Sequence, residues 1–228
     1  MLCPLADLKA VFFDFDGLIV NTEPLHYQAY RLAMQQNDLP FLWDFSTFTS
    51  IAHTSSTGLS QMMISAFPHF FKTKSWKQLY EEKGHCYKKL LEERRLEWMP
   101  GALPVLNCVK QSNVFYCVVT HSTREQIELC QHHLPLLKQI PLWITREDYA
   151  NPKPAPDGYL KAVELSNLQG KMVGFEDALR GIVSLQNAHI DPILICPRTH
   201  PQMGKNSKGD YLHFESFEPV LKKWKQGI

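Results

Sequence analysis

The sequence predicts an α/β protein, a mainly parallel, doubly wound sheet with a helical segment inserted into it, and three observations carry that reading. Strand-like runs recur at about 9–15, 114–119, 141–145, 171–175 and 191–196, with helix-like patterns between most of them. Such alternation suits a parallel sheet covered on both faces. Residues 20–98 have a different texture, with no comparable β-rich run and long helical patterns, clearest in Tyr27–Met34 and Trp76–Trp98. Finally, polar residues follow directly on four of the runs, at the strand ends where an open α/β sheet binds its ligands.

The first run, within KAVFFDFDG, is apolar and aromatic and stops at Asp14, Phe15, Asp16 and Gly17. Residues two apart on an extended chain share a side, so Asp14 and Asp16 can converge at the strand's carboxyl end while Gly17 turns the chain away. One carboxylate can hold a hard cation or attack as a nucleophile while the other moves protons, the division that phosphoryl transfer needs. Alone, the pair equally describes an Asp-rich surface turn. The second run ends in Val118-Val119-Thr120-His121-Ser122, and Asn151-Pro152-Lys153-Pro154-Ala155-Pro156-Asp157 follows the third. Gly174-Phe175-Glu176-Asp177-Ala178-Leu179-Arg180-Gly181 follows the fourth, so four segments can meet in one crevice. Met99-Pro100-Gly101 reads as a linker returning to the sheet. The expected division is a core of residues 1–19 and 99–228 and a helical insertion of residues 20–98.

Composition is that of a globular chain able to bury a substantial core: 228 residues, 44% hydrophobic and 21% charged. Lys and Arg number 24 against 23 Asp and Glu, a net charge of +1, without the basic excess of a nucleic-acid surface. The clusters Lys72 to Lys77 and Lys205 to Lys208 read as solvated surface. Cysteines at 3, 86, 108, 117, 130 and 196 form no C-x-x-C pair and read as isolated or buried thiols of a reducing compartment. No signal-like leader or apolar run of membrane-spanning length occurs, so a cytoplasmic protein without a membrane partner is expected. Neither G-x-x-x-x-G-K-[ST] nor G-x-G-x-x-G is present, and Gly204-Lys205-Asn206-Ser207 lacks the earlier glycine of a phosphate loop. A kinase or dinucleotide enzyme is therefore disfavoured.

The order and spacing of these segments, above all DFDGLIVNTEPLHYQA and KPAPDGYLKAV…VGFEDALRGI, resemble the haloacid dehalogenase superfamily. The branch it resembles holds small phosphatases and β-phosphoglucomutase-like mutases with a helical cap, and the likeness covers essentially the whole chain. It implies a Rossmann-like core, a cap at residues 20–98, and Mg²⁺-dependent phosphoryl transfer through an aspartyl-phosphate. Departures stand at Asn21, where relatives commonly have Asp, at His121, where they have Ser or Asn, and at Pro152, where they have Gly.

On that resemblance Asp14 is the expected nucleophile, and Asp16 the group that protonates the leaving oxygen and later activates water. Asp16 also speaks against dehalogenase chemistry, which has no leaving alkoxide to protonate. Asp14, the main-chain carbonyl of Asp16, Glu176 and Asp177 are the expected Mg²⁺ ligands. Glu176 could instead pair with Arg180, four residues on. Thr120 and its neighbouring amides are expected on the substrate phosphate, a role compatible with capping the following helix. Lys153, stiffened by Pro152 and Pro154, brings positive charge to the phosphate or else is a solvated loop lysine. His121 is expected at the phosphate, as an acid or through its main chain. His26 is expected at the substrate or hinge, or else in helix capping and packing. His85, His132 and His133 read as surface or packing residues, since no zinc spacing such as H-E-x-x-H occurs.

The leading function is a phosphatase of a small phosphorylated metabolite, the runner-up a phosphomutase, and the third a catalytically silent phospholigand-binding module. A mutase must hold a second phosphate and wants cations on the cap. The loop from Ser46 to Ser60, STFTSIAHTSSTGLS, has neither Arg nor Lys. Its hydroxyls and His53 suit a sugar or polyol instead, although Arg31, Lys72 and Lys74 elsewhere on the cap could swing in. A monomer suits a cap that opens and closes.

Overall fold

The computed structural model describes residues 2–55, 57–93, 96–203 and 209–227. The lysine cluster at 205–208 and the Gly204 to Ser207 stretch lie outside the described residues. Six parallel strands, β1 (Ala10–Phe13), β2 (Phe115–Val119), β3 (Trp143–Ile144), β4 (Met172–Glu176), β5 (Asp191–Ile195) and β6 (Leu212–Phe214), form a sheet of order β3-β2-β1-β4-β5-β6. The chain winds outward from β1 through β2 to β3, then returns to the other side of β1 with β4. The crevice of such a sheet opens where the winding reverses, beyond the carboxyl ends of β1 and β4.

β1 is buried on both sides, as a central parallel strand must be. Val11 and Phe13 face one layer, where Phe13 stacks on Phe175 at 5.3 Å and Phe175 meets Trp224 edge-on at 5.6 Å. Trp224 lies on α9 (Glu218–Lys225), which packs against α5 (Ala102–Gln111) on that face. Ala10 and Phe12 face the opposite layer, where Phe12 meets Tyr159 of α7 (Asp157–Ser166) and where Leu185 of α8 (Leu179–Asn187) is buried. Each fully buried phenylalanine contributes roughly 2 kcal/mol by leaving water, so β1 is an anchor for both layers.

Between β1 and α5 come α1 (Glu23–Gln35), α2 (Phe45–Thr54), α3 (Gly58–Ala66) and α4 (Trp76–Glu93). Pro24 opens α1, where a missing N–H costs nothing, and α1 packs along α4. The stretch from Ser46 to Ser60 is mainly helical, which corrects its reading as a loop. The Asp44 side chain accepts from the Thr47 amide at 2.8 Å to start α2, and Thr49 and Thr54 hydroxyls donate back to the carbonyls of Phe45 and Ser50 at 3.0 and 2.8 Å. Hydroxyls that satisfy themselves on their own helix hide its pattern in the sequence.

The helical pattern expected as far as Trp98 stops sooner, because Trp98 pairs with Val20 in an antiparallel bridge. Asn21 N donates to Glu97 O and Met99 N to Ile19 O, both at 2.9 Å, so the chain leaves and re-enters the core side by side. β6 was not expected from the sequence; it is a short, half-buried edge strand without a strong apolar run. The remaining α-helix, α6 (Arg124–His133), follows β2. Among the described residues no helix is long and apolar enough to cross a membrane.

Candidate active site

The strand ends hold their polar residues by continuing the sheet's own hydrogen bonds. Asp14 N donates to Phe175 O at 2.9 Å and Thr120 N to Ile144 O at 2.9 Å, so both residues are fixed just past the last residue of their strands. Gly17 then turns the chain with φ of 77°, and a Cβ there would lie 2.5 Å from Asp177 Oδ2, so only glycine admits both the turn and that carboxylate.

Lys153, 5% exposed, reaches inward from the segment after β3. Its three ammonium donors meet Asp14 Oδ1 at 2.5 Å, Glu176 Oε1 at 2.7 Å and Val119 O at 2.9 Å. Burial pulls its pKa down, but the carboxylates of Asp14 and Glu176 prevail and hold it above the usual lysine range. It is therefore no solvated loop lysine. Burial pushes the carboxyl of Asp14 up to about 7, with Lys153 opposing. Asp177 is likewise raised to about 7 by burial, with His53 opposing, and Glu176 is raised by burial against the pull of Lys153. Glu176 also accepts from the Tyr159 hydroxyl, and Gly181 leaves it room, since a Cβ there would sit 2.0 Å from its carboxyl carbon.

Carboxylate oxygens of Asp14, Glu176 and Asp177 all lie within 4.8 Å of one another. Hard oxygens in this number suit a divalent cation of the Mg²⁺ kind, so the residues fit the expected metal. The Asp16 side chain stands outside that trio. Its Oδ1 accepts from Thr22 Oγ1 at 2.7 Å, and its Oδ2 from Ser122 Oγ at 2.7 Å and Thr120 Oγ1 at 3.1 Å. Burial would raise Asp16, but the contact with His26 and these hydroxyls outweigh it and hold the carboxyl well below its ordinary range.

Two expectations need correction here. Thr120 does not cap the following helix: Thr123 does, in a capping box with Gln126, while the Thr120 hydroxyl is occupied by Asp16 and the Ser122 amide. Glu176 does not pair with Arg180, which turns toward His121 instead. The His121 Nε2 accepts the Lys153 backbone N–H at 2.8 Å, and burial and Arg180 push the ring far toward its neutral form. It thus holds the lysine segment in place, and a proton-donating role does not suit it.

A cavity of about 540 Å³ lies over these strand ends. Asp14, Asp16, His121, Lys153, Glu176 and Asp177 line its floor, and Tyr30, Phe48, Trp76 and Tyr80 of the inserted helices line its roof. His26 joins the two. Its ring stacks on Tyr87 at 4.1 Å, its Nε2 is 3.5 Å from Asp16 Oδ1, and its Nδ1 accepts from Lys83 Nζ at 2.7 Å. His53, 7% exposed, comes from α2 to contact Glu23 and lies 3.7 Å from Asp177 Oδ2. Arg31, Lys72 and Lys74 do not line the cavity; Lys77 and Lys83 do. Lys74 pairs with Glu82 instead.

Sequence reasoning missed Thr22 and Ser122, which hold Asp16, and Lys83; the last of these left a trace. Lys83 shares the buried face of α4 with Leu79, Cys86, Tyr87 and Leu90, and a lysine in the apolar stripe of an amphipathic helix is a signal that could have found it.

A sequence profile of the family described as haloacid dehalogenase-like hydrolase matches residues 11–195. The chain is 27% identical over 187 residues to a phosphorylated carbohydrates phosphatase of Thermotoga maritima, covering 82% of this chain and 84% of the relative. It is 26% identical over 185 residues to the β-phosphoglucomutase of Bacillus subtilis, covering 79% and 80%. Among solved structures, one titled a putative β-phosphoglucomutase from Bacteroides vulgatus superimposes with a TM-score of 0.72 at 26% identity, over 97% of this chain and 89% of that one. The profile thus spans every segment of the site on a sheet of matching fold, and the chain belongs to the haloacid dehalogenase-like hydrolases.

Proposed function

We propose that the protein is a Mg²⁺-dependent phosphatase of a small phosphomonoester, a sugar or polyol phosphate above others, that works through an aspartyl-phosphate on Asp14. The observation that carries this reading is the meeting of Asp14, Asp16, Lys153 and Asp177 on one cavity floor. Asp14 attacks phosphorus and the substrate oxygen leaves; water then attacks the acyl phosphate and returns Asp14 as a carboxylate. Asp16, ionised in the free site, would take up a proton as the phosphate dianion binds beside it, give that proton to the leaving oxygen and take one back from the water. Hydroxyls both donate and accept, so Thr22, Thr120 and Ser122 can hold Asp16 in either protonation state. Lys153 steadies Asp14 and lends positive charge to the phosphate. Asp14, the carbonyl of Asp16, Glu176 and Asp177 would hold Mg²⁺, whose charge, when bound, offsets the repulsion between a phosphate dianion and a carboxylate.

The roof supports the choice of substrate. Tyr30, Phe48, Trp76 and Tyr80 line the cavity with aromatic surface that suits the apolar face of a sugar, and the Thermotoga maritima relative is named for phosphorylated carbohydrates. The inserted helices act as a cap at residues 20–98, turning on the paired segments at Ile19–Asn21 and Glu97–Met99. A monomer suits that motion, and free cysteines suit a reducing cytoplasm.

The mutase reading gains from Lys77 and Lys83, cap cations that line the cavity. Lys83, however, is engaged by His26 and lies over the Tyr87 ring at 4.7 Å, which withdraws it from a second phosphate. The test is a screen of sugar, polyol, nucleotide and small-acid monophosphates with Mg²⁺. Release of inorganic phosphate without stimulation by a sugar bisphosphate is expected. Faster conversion of a hexose 1-phosphate to its 6-phosphate than release of phosphate would make the mutase the right reading.

A further inference from the structure

Beside the carboxylate trio lies a second group of metal-ligating side chains of different chemistry. Glu23 sits at the first position of α1, His53 near the end of α2, and His200 in the core segment after β5. One donor atom from each lies within 4.8 Å of the others. The rings of His53 and His200 are 4.7 Å apart, and the Glu23 carboxylate touches His53 Nε2. Two imidazole nitrogens here, His53 Nδ1 and His200 Nε2, are buried without a hydrogen-bond partner among the described residues. His53 as a whole is only 7% exposed. A buried imidazole nitrogen without a partner forfeits the interaction that it had with water, so it is uncommon unless something else takes its lone pair. The other nitrogen of His200 receives only a long contact, 3.4 Å, from the Gln202 amide.

We propose that Glu23, His53 and His200 form a second metal site, for a borderline transition-metal dication such as Zn²⁺, that fastens the inserted helices to the core. Two imidazoles and one carboxylate are a donor set that Zn²⁺ accepts with a fourth position left for water. The neighbouring trio of carboxylates prefers a hard ion, so the two groups divide cations by ligand softness. Asp177 stands between them, 3.7 Å from His53 Nε2, and its negative charge tempers the repulsion of two dications. The ligands come from three separate stretches of sequence, which is why no local histidine spacing betrays them. Because Glu23 and His53 belong to the inserted segment and His200 to the core, an ion held by all three keeps the roof down on the floor.

The test is direct binding and does not depend on which phosphoester the protein hydrolyses. Zn²⁺ is titrated calorimetrically into the purified full chain with Mg²⁺ in large excess, and Co²⁺ is used as a coloured probe of nitrogen ligation. One equivalent of Zn²⁺ is expected, with Co²⁺ absorption intense enough for a four-coordinate site. His200→Gln, which keeps the shape of the ring's reach but removes its nitrogen ligand, should weaken Zn²⁺ by on the order of a hundredfold, at least what the loss of an outer partner costs a metal site. His200→Ala checks the same loss, and circular dichroism confirms that each variant is folded. Asp14→Asn should leave the Zn²⁺ affinity within about threefold, because that residue belongs to the other cluster. Zn²⁺ binding that Asp14→Asn abolishes and His200→Gln leaves intact would place the ion in the carboxylate trio and overturn the proposal. Absence of any Zn²⁺ uptake in excess Mg²⁺ would overturn it equally.

Discussion

Two buried lysines divide this molecule. Lys153, on the core side, has carboxylates of Asp14 and Glu176 and a carbonyl at its three donors, and its pKa is held above the usual range against the pull of burial. Lys83, on the helical side and 3% exposed, has the His26 ring nitrogen and the faces of Tyr30, Tyr80 and Tyr87. Burial lowers its pKa to about 8, with Asp16 opposing from farther off. The two share burial and side-chain chemistry, so the anion at the ammonium is what decides whether a buried lysine is locked in its charged form or strained toward its neutral one.

The largest effect expected from the core side is on chemistry. Asp14→Asn should lower phosphate release by at least about a thousandfold, because shape survives and the attacking charge does not. Full turnover in this variant, measured with the best substrate of the screen, would remove the covalent mechanism.

Next comes the pair itself. Lys153→Met should destabilise the protein by roughly 3–5 kcal/mol in urea unfolding without divalent metal, since it leaves two buried carboxylates without their cation. A loss below about 1 kcal/mol would mean that the comparison between the lysines is misdrawn.

Lys83→Met should act in the opposite direction. The folded pKa of Lys83 lies below its unfolded value, so between about pH 8 and 10.5 the unfolded chain binds more protons and stability rises with pH. Below that window the charged, buried ammonium weighs against the fold. Methionine removes this, so the variant should gain up to about 3 kcal/mol at pH 7 and lose the rise between pH 8 and 10.5. Parallel stability curves for wild type and variant across that window would show that His26 and the tyrosine rings replace water fully.

The smallest effect sharpens the contrast. Lys88 of α4 meets Glu125 of α6 at 2.7 Å, an exposed bridge from the inserted helices to the core. Exposed pairs gain little over water, so Lys88→Ala should leave the unfolding midpoint unchanged within error.

Much of the core side was legible in the sequence because its residues follow strands, and a strand announces itself by a short apolar run with a polar stop. Asp14, Thr120, Lys153 and Asp177 were found in that way; the structure gathers Asp14, Lys153 and Asp177 on one floor, and buries Thr120 beside it against Asp16. The helical side was less legible. His26 and His53 were singled out, but their partners Lys83, Glu23 and His200 lie tens of residues away or more, and pairings across that distance leave no local pattern. Thr120 was half read: its place was evident, whereas its commitment to Asp16 depends on how three strand ends converge. The Ser- and Thr-rich stretch that became α2 misled for a different reason, since hydroxyls bonding their own helix mimic the composition of a loop.

The order of the sheet also bears on how the chain is born. Ala10 of β1 pairs with Phe115 of β2 and Met172 of β4, so the central strand is synthesised first and meets both neighbours more than a hundred residues later. At translation speeds of about 5–20 residues per second, Phe12 and Phe13 wait roughly 5–20 seconds for β2 and longer for β4. During that interval an apolar strand with both edges open is a template for the wrong partner. A nascent chain halted before β4 should therefore hold on to a ribosome-associated chaperone, and one released after β6 should let it go.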